Sequence, residues 1–170
     1  MNASRSGGGG RGDFADSPVT EDLVVDGLRH WLSGYATGSI ECWELAWNLF
    51  ATKLGPARAR PAVAALSCYA RAINGHFRGN FCLFPHGCPR RCADECLALE
   101  LLAAVQSGDR PRAAALADRL VRADGLTLTL DAAAALGAAL SALGLTLSSR
   151  SSDDALQGAA DVDAANSTRH

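Results

Sequence analysis

The chain has 170 residues, a formal net charge of −2 and six cysteines. Setting aside its Gly-rich and Ser/Asp-rich ends leaves about 130 residues, enough for one core that buries about two thirds of the surface its unfolded chain exposes. No run reaches the about eighteen uncharged apolar residues of a membrane span, and MNASRSGGGGRGDF lacks the apolar centre of a signal peptide, so no membrane partner and an intracellular location, cytoplasm or nucleus, are expected.

Residues 1–17 contain four consecutive glycines and little that could be buried, which predicts a disordered arm. Arg11-Gly12-Asp13 and the glycosylation sequons headed by Asn2 and Asn166 fall in such low-complexity ends and are read as chance. The helical domain is expected over 18–147. Ser17-Pro18 or Thr20 starts a first helix with Leu23, Val24, Leu28, Trp31, Leu32 and Tyr35 at helical spacing. Ser39 caps a second helix, which carries Trp43, Ala46, Trp47, Phe50 and Leu54 and stops at Gly55-Pro56. A third is expected from Pro61 to Asn74, with Val63, Leu66, Tyr69, Ala70 and Ile73 inward.

An irregular stretch from Gly75 to about Cys88 follows. A fourth helix beginning near Pro89 should carry Cys92, Cys96, Leu97, Leu101 and Val105 and close at Gly108. Asp109 caps a fifth, with Pro111 in its first turn, ending at Gly125. Residues 126–130 alternate Leu with Thr like a strand, but no partner strand is visible. They are read as the approach to a sixth helix over Leu130–Leu143. Residues 148–170 predict a second disordered tail. The fold class is therefore all-α, a single small bundle of about six helices.

The densest chemistry is CLFPHGCPRRCADEC, Cys82 to Cys96, with His76 just upstream. In a reducing compartment clustered cysteines point to metal or redox chemistry before disulfides. Cys88, Cys92 and Cys96 are spaced i, i+4, i+8, so on a helix starting at Pro89 they would share one face, and Cys82 could fold back from the loop to complete a tetrahedron. The expected metal ligands are Cys82, Cys88, Cys92, Cys96 and His76, and the expected cofactor is Zn2+. The ligand supply leaves no open coordination position, which favours a structural metal that pins the 76–96 segment.

Cys42 and Cys68 are expected to be core thiols, and His30 a satisfied surface or core histidine. No phosphate loop, zinc-protease helix or nucleophile elbow is present, so no enzyme is expected. Between Glu44 and Asp94 there is no acidic residue, while Lys53, Arg58, Arg60, Arg71, Arg78, Arg90 and Arg91 make that stretch strongly basic. Pairing of these cations with the acidic flanks is preferred over a nucleic-acid surface, because the interleaved aromatics of a single-strand platform are missing.

A His/Trp/Leu helix (His30, Trp31, Leu32), then CWELAWNLF, LSCYARAINGH, a cysteine, a spacer, a second cysteine and a short helix ending in Gly-Asp follow one another over about residues 28–109. That order resembles the alphaherpesvirus short-unique-region virion protein family, tegument or capsid-associated proteins with a Cys/His zinc-finger motif. The resemblance implies that Cys68, His76, Cys82 and Cys96 occupy the family's Cys/His positions. It also implies a virion accessory role in the host cell. The chain differs in carrying Arg71, Ala72 and Ile73 where the family shows adjacent cysteines. Cys88 and Cys92 have no counterpart there. The expectation is a non-enzymatic zinc-binding helical protein that acts on a protein partner. The alternatives are a thiolate metal-handling or redox protein, using copper(I) or an iron-sulfur cluster, and a nucleic-acid-binding regulator using residues 45–93.

Overall fold

The computed structural model describes residues 17–148, and within them the regular structure is helical: α1 (Ser17–Thr37), α2 (Ile40–Leu54), α3 (Pro56–His76), α4 (Ala93–Gln106), α5 (Arg110–Leu120), a 3₁₀ turn (Ala123–Gly125) and α6 (Leu126–Ala142). The small all-α bundle of six helices is thus observed. The arm and tail expected at the two ends lie outside the described residues, except that Ser17 opens α1 and Ser148 donates its hydroxyl to Glu21 Oε1 at 2.7 Å.

α3 organises the core, packing against α1, α2 and α6, while α4 packs against α5 and α6. Its inward stripe of Leu66, Tyr69, Ala70 and Ile73 is fully buried. The Tyr69 hydroxyl donates to the Ala98 carbonyl at 2.9 Å, which ties α3 to α4 and satisfies a polar group in the driest part of the bundle. Burial pushes that phenol far above its usual range, so it stays a donor at any working pH.

Several helix boundaries differ from those the sequence predicts. Gly55, at φ +81°, turns the chain directly out of α2, so Pro56 takes the first turn of α3 and the helix starts five residues before Pro61. Pro61 then lies inside α3 on its exposed side, where the carbonyl freed by the missing N–H can reach water. α5 ends at Leu120 rather than Gly125. The Leu/Thr segment is the first turn of α6 itself, not its approach. Thr129, Ala132, Ala133 and Leu136 are buried at helical spacing, and Leu128 is 53% exposed while Leu126 and Leu130 are partly buried, so the three leucines do not share a face as they would on a strand.

The start of α4 is decisive for the cysteines. α4 begins at Ala93, with Cys92 as its N-cap in extended conformation, so Pro89 belongs to a loop. The segment Ala123–Ala142 is long and apolar enough, by length and composition alone, to cross a membrane. In the bundle its Ala133, Leu136 and Leu140 are fully buried against α3 and α4, as a core helix requires.

Candidate functional site

The loop 77–92 leaves α3 at His76 and returns at the start of α4. Its first residues are tied to the end of α5: Phe77 and Val121 form an isolated antiparallel bridge, and the Arg122 N–H donates to the His76 carbonyl at 2.8 Å. The Arg122 guanidinium donates to the carbonyls of Gly75 and Phe77, capping α3.

The rest of the loop is held by one buried guanidinium. Arg29, on α1, is 1% exposed, and all five of its N–H groups are used. Nε and Nη2 form a fork on Glu95, at 2.8 Å and 3.0 Å. Nη1 reaches Asp26 at 3.0 Å and the Cys88 carbonyl at 2.9 Å, and Nη2 donates to the Arg90 carbonyl at 2.7 Å. Glu95 in turn accepts from the backbone N–H groups of Cys92 and Phe84, and Asp26 accepts from Gly87 N–H. Burial alone would push Glu95 up, but the hydrogen bonds from Arg29, Cys92 and Phe84 outweigh it and hold the carboxyl below its ordinary range. The same pairing with Glu95 raises Arg29, against the effect of burial. Outside this hub, Arg91 pairs with Glu21 and with Asp22 at 2.6 Å, stapling the loop's end to the first turns of α1.

The cysteines sit around this frame, and two of them meet. Cys82 is exposed. Its N–H donates to Asp94 Oδ2 at 2.8 Å, and its carbonyl accepts from the Cys92 thiol at 2.9 Å. Burial, opposed by the backbone N–H of Glu95 and reinforced by the Cys82 contact, pushes the Cys92 thiol up to about 11. Cys88 lies in the loop, with its carbonyl turned to Arg29. Cys96 stands one turn into α4, its N–H bonded to the Cys92 carbonyl.

The i, i+4, i+8 face expected of Cys88, Cys92 and Cys96 therefore does not form, because the helix that would create it starts at Ala93. Among the described residues, no group of three or more His, Cys, Asp or Glu side chains is arranged to hold a metal ion. His76 faces Asp124, at 3.5 Å, and Gly125, where a Cβ would lie 2.2 Å from the His76 Cβ. That approach uses the missing side chain of Gly125 and directs His76 toward the 3₁₀ turn.

Cys68, expected in the core, is exposed on α3 beside Arg71 and Ala64, and Cys42 is half-buried. Of the seven cations in the acid-free stretch, Arg78 pairs with Asp118 and Arg91 with Glu21 and Asp22. Arg58 donates to the Leu143 carbonyl, and Lys53, Arg60, Arg71 and Arg90 are exposed. The expected internal pairing is thus observed for two of them.

Sequence reasoning missed Arg29, Asp26 and Glu95, and it missed the stacking of His30 on His86, ring centroids 3.9 Å apart. Two signals were present. Arg29 interrupts the apolar stripe of Val25, Leu28 and Leu32, and Glu95 stands three residues after Cys92, the spacing of a capping box. No family model, no curated protein and no solved structure matches this chain.

Proposed function

We propose that this chain is a non-enzymatic helical protein that acts by binding a protein partner through the loop 77–92. The observation that carries the reading is the Arg29 hub. A buried guanidinium with five satisfied donors holds a loop without regular structure in one shape, while Cys82, Pro85, His86, Pro89 and Arg90 remain exposed on its surface. A preorganised loop loses little conformational entropy on binding, which is the physical use of such a frame. The order of residues resembling the alphaherpesvirus virion proteins supports a virion accessory role for that interaction. Nucleic-acid binding ranks second, since the exposed Arg60 and Arg71 share α3 without aromatic neighbours on that surface.

The zinc reading draws support from the approach of two expected ligands, the Cys92 thiol resting on the Cys82 carbonyl. A structural zinc site uses about four ligands, and the arrangement supplies two.

The test is affinity capture from the native host cell with the full chain and with a His86→Ser/Arg90→Ser variant of unchanged stability. Capture of a defined partner by the wild type and its loss from the variant is the expected result. An identical partner set for both rejects the loop as the binding surface. Metal analysis of the same preparations decides the cofactor, with about one zinc per chain supporting the metal and none rejecting it.

A further inference from the structure

We infer that Cys82 and Cys92 form a reversible intramolecular disulfide by exchange with a low-molecular-weight disulfide of the glutathione type. This goes beyond the proposed binding role and does not depend on it. The geometry is specific to this pair. Cys82 is anchored at both ends of its peptide unit, its N–H on Asp94 and its carbonyl on the Cys92 thiol, so the two residues are neighbours by backbone restraint and not by side-chain rotamer alone. The Cys92 thiol already lies 2.9 Å from the carbonyl oxygen of Cys82, the residue whose sulfur it must meet. Access is asymmetric, as exchange requires: Cys82 is exposed and can meet a dissolved disulfide, while Cys92 is 9% exposed and can meet Cys82 but not bulk reagent.

The chemistry balances in two steps. The Cys82 thiol gives its proton to solvent, and the thiolate attacks one sulfur of the glutathione disulfide. The sulfur–sulfur bond of the reagent breaks, a protein–glutathione mixed disulfide forms, and one glutathione thiolate leaves and takes a proton. The Cys92 thiol, deprotonated in turn, attacks the Cys82 sulfur. The mixed disulfide breaks, the Cys82–Cys92 bond forms, and the second glutathione leaves. The protein loses two electrons and two protons, and the reagent gains them. The closed form replaces the Cys92 S–H bond to the Cys82 carbonyl with a covalent link between the loop and the first residue before α4.

The experiment uses the full chain, freed of metal by chelator, equilibrated with oxidised and reduced glutathione, quenched in acid and alkylated. Cleavage after Arg78, Arg90 and Arg91 separates Cys82 and Cys88 from Cys92 and Cys96, and fragmentation of the linked peptide assigns the bond. The expected result is loss of two of the six thiols and a Cys82–Cys92 linkage. Cys92→Ser, which keeps an N-cap side chain, should stop at the mixed disulfide. Cys88→Ser and Cys96→Ser should close as the wild type does. A bond joining Cys82 to Cys88 or Cys96, closure undiminished in Cys92→Ser, or a wild type that stops at the mixed disulfide overturns the inference.

Discussion

Arg29 illustrates how strongly one side chain can depend on its acceptors. Removing its guanidinium leaves the Glu95 carboxylate, 2% exposed, with only the N–H groups of Cys92 and Phe84, and a buried ion robbed of its partner costs about 3–5 kcal/mol. Arg29→Met is therefore expected to lower the unfolding free energy from urea denaturation by that amount, with the loop losing its hold at Cys88 and Arg90. Arg29→Lys is expected to rescue little, since three rotatable donors cannot serve five acceptors fixed in a planar fork. The double variant Arg29→Met/Glu95→Leu should recover a large part of the loss. A single variant within about 0.5 kcal/mol of wild type would show that the hub does not hold the loop. The residues of this hub were only half legible in sequence: a charge on an apolar stripe marks Arg29 as unusual, but nothing local says which acid it meets.

At the level of the helix, α6 tests whether the Leu/Thr alternation is overridden by tertiary packing. Thr129 is fully buried, and its hydroxyl finds no hydrogen-bond partner, whereas Leu128 faces solvent. Replacing the hydroxyl with a methyl of the same shape removes an unsatisfied polar group, so Thr129→Val is expected to stabilise the protein by about 1 kcal/mol in equilibrium denaturation. Leu128→Lys should stay within about 0.5 kcal/mol of wild type, as surface changes do. If the alternation were a strand, Leu128 would share a face with Leu126 and Leu130, and the lysine would be costly. The α4 start follows a similar logic. Pro89 is a permissible first-turn residue, yet the loop that follows His76 needs Cys88 and Arg90 carbonyls turned to Arg29, and a helix over 89–92 would direct those carbonyls along its own axis.

Over the whole molecule, three buried titratable groups set the pH window of stability. Glu95 is held below its ordinary range, so the folded chain binds fewer protons than the unfolded one near pH 4, and stability present above about pH 4.3 is lost as pH falls. His30 is lowered by burial and by His86, partly opposed by Asp26, so its contribution is present above about pH 6.5 and lost below it. Cys92 acts in the opposite sense. Its thiol at about 11 in the fold stays protonated where the unfolded chain ionises near 8.5, so stability falls as pH rises from about 8.5 to 11. Melting temperature is expected to be highest between about pH 6.5 and 8.5 and to drop on both sides. His30→Phe, which keeps the stacking on His86, should flatten the limb between pH 6.5 and 5. A wild-type curve without any decline from pH 7 to 5 would contradict the burial of a neutral His30.

The helical class, the six elements and the principal inward stripes follow from the chain alone, because helix periodicity, capping residues and glycine or proline stops act over three or four residues. So does the clustering of four of the six thiols in one short segment. The meeting of Cys82 with Cys92, the diversion of His76 to Asp124 and the exposure of Cys68 came only with the packed bundle. These depend on where α4 starts, and that start is fixed by Arg29, 66 positions away from Glu95 in the chain. A local pattern read on a helix beginning at Pro89 places three cysteines on one face. The buried guanidinium, by demanding two loop carbonyls, excludes that helix and leaves a pair.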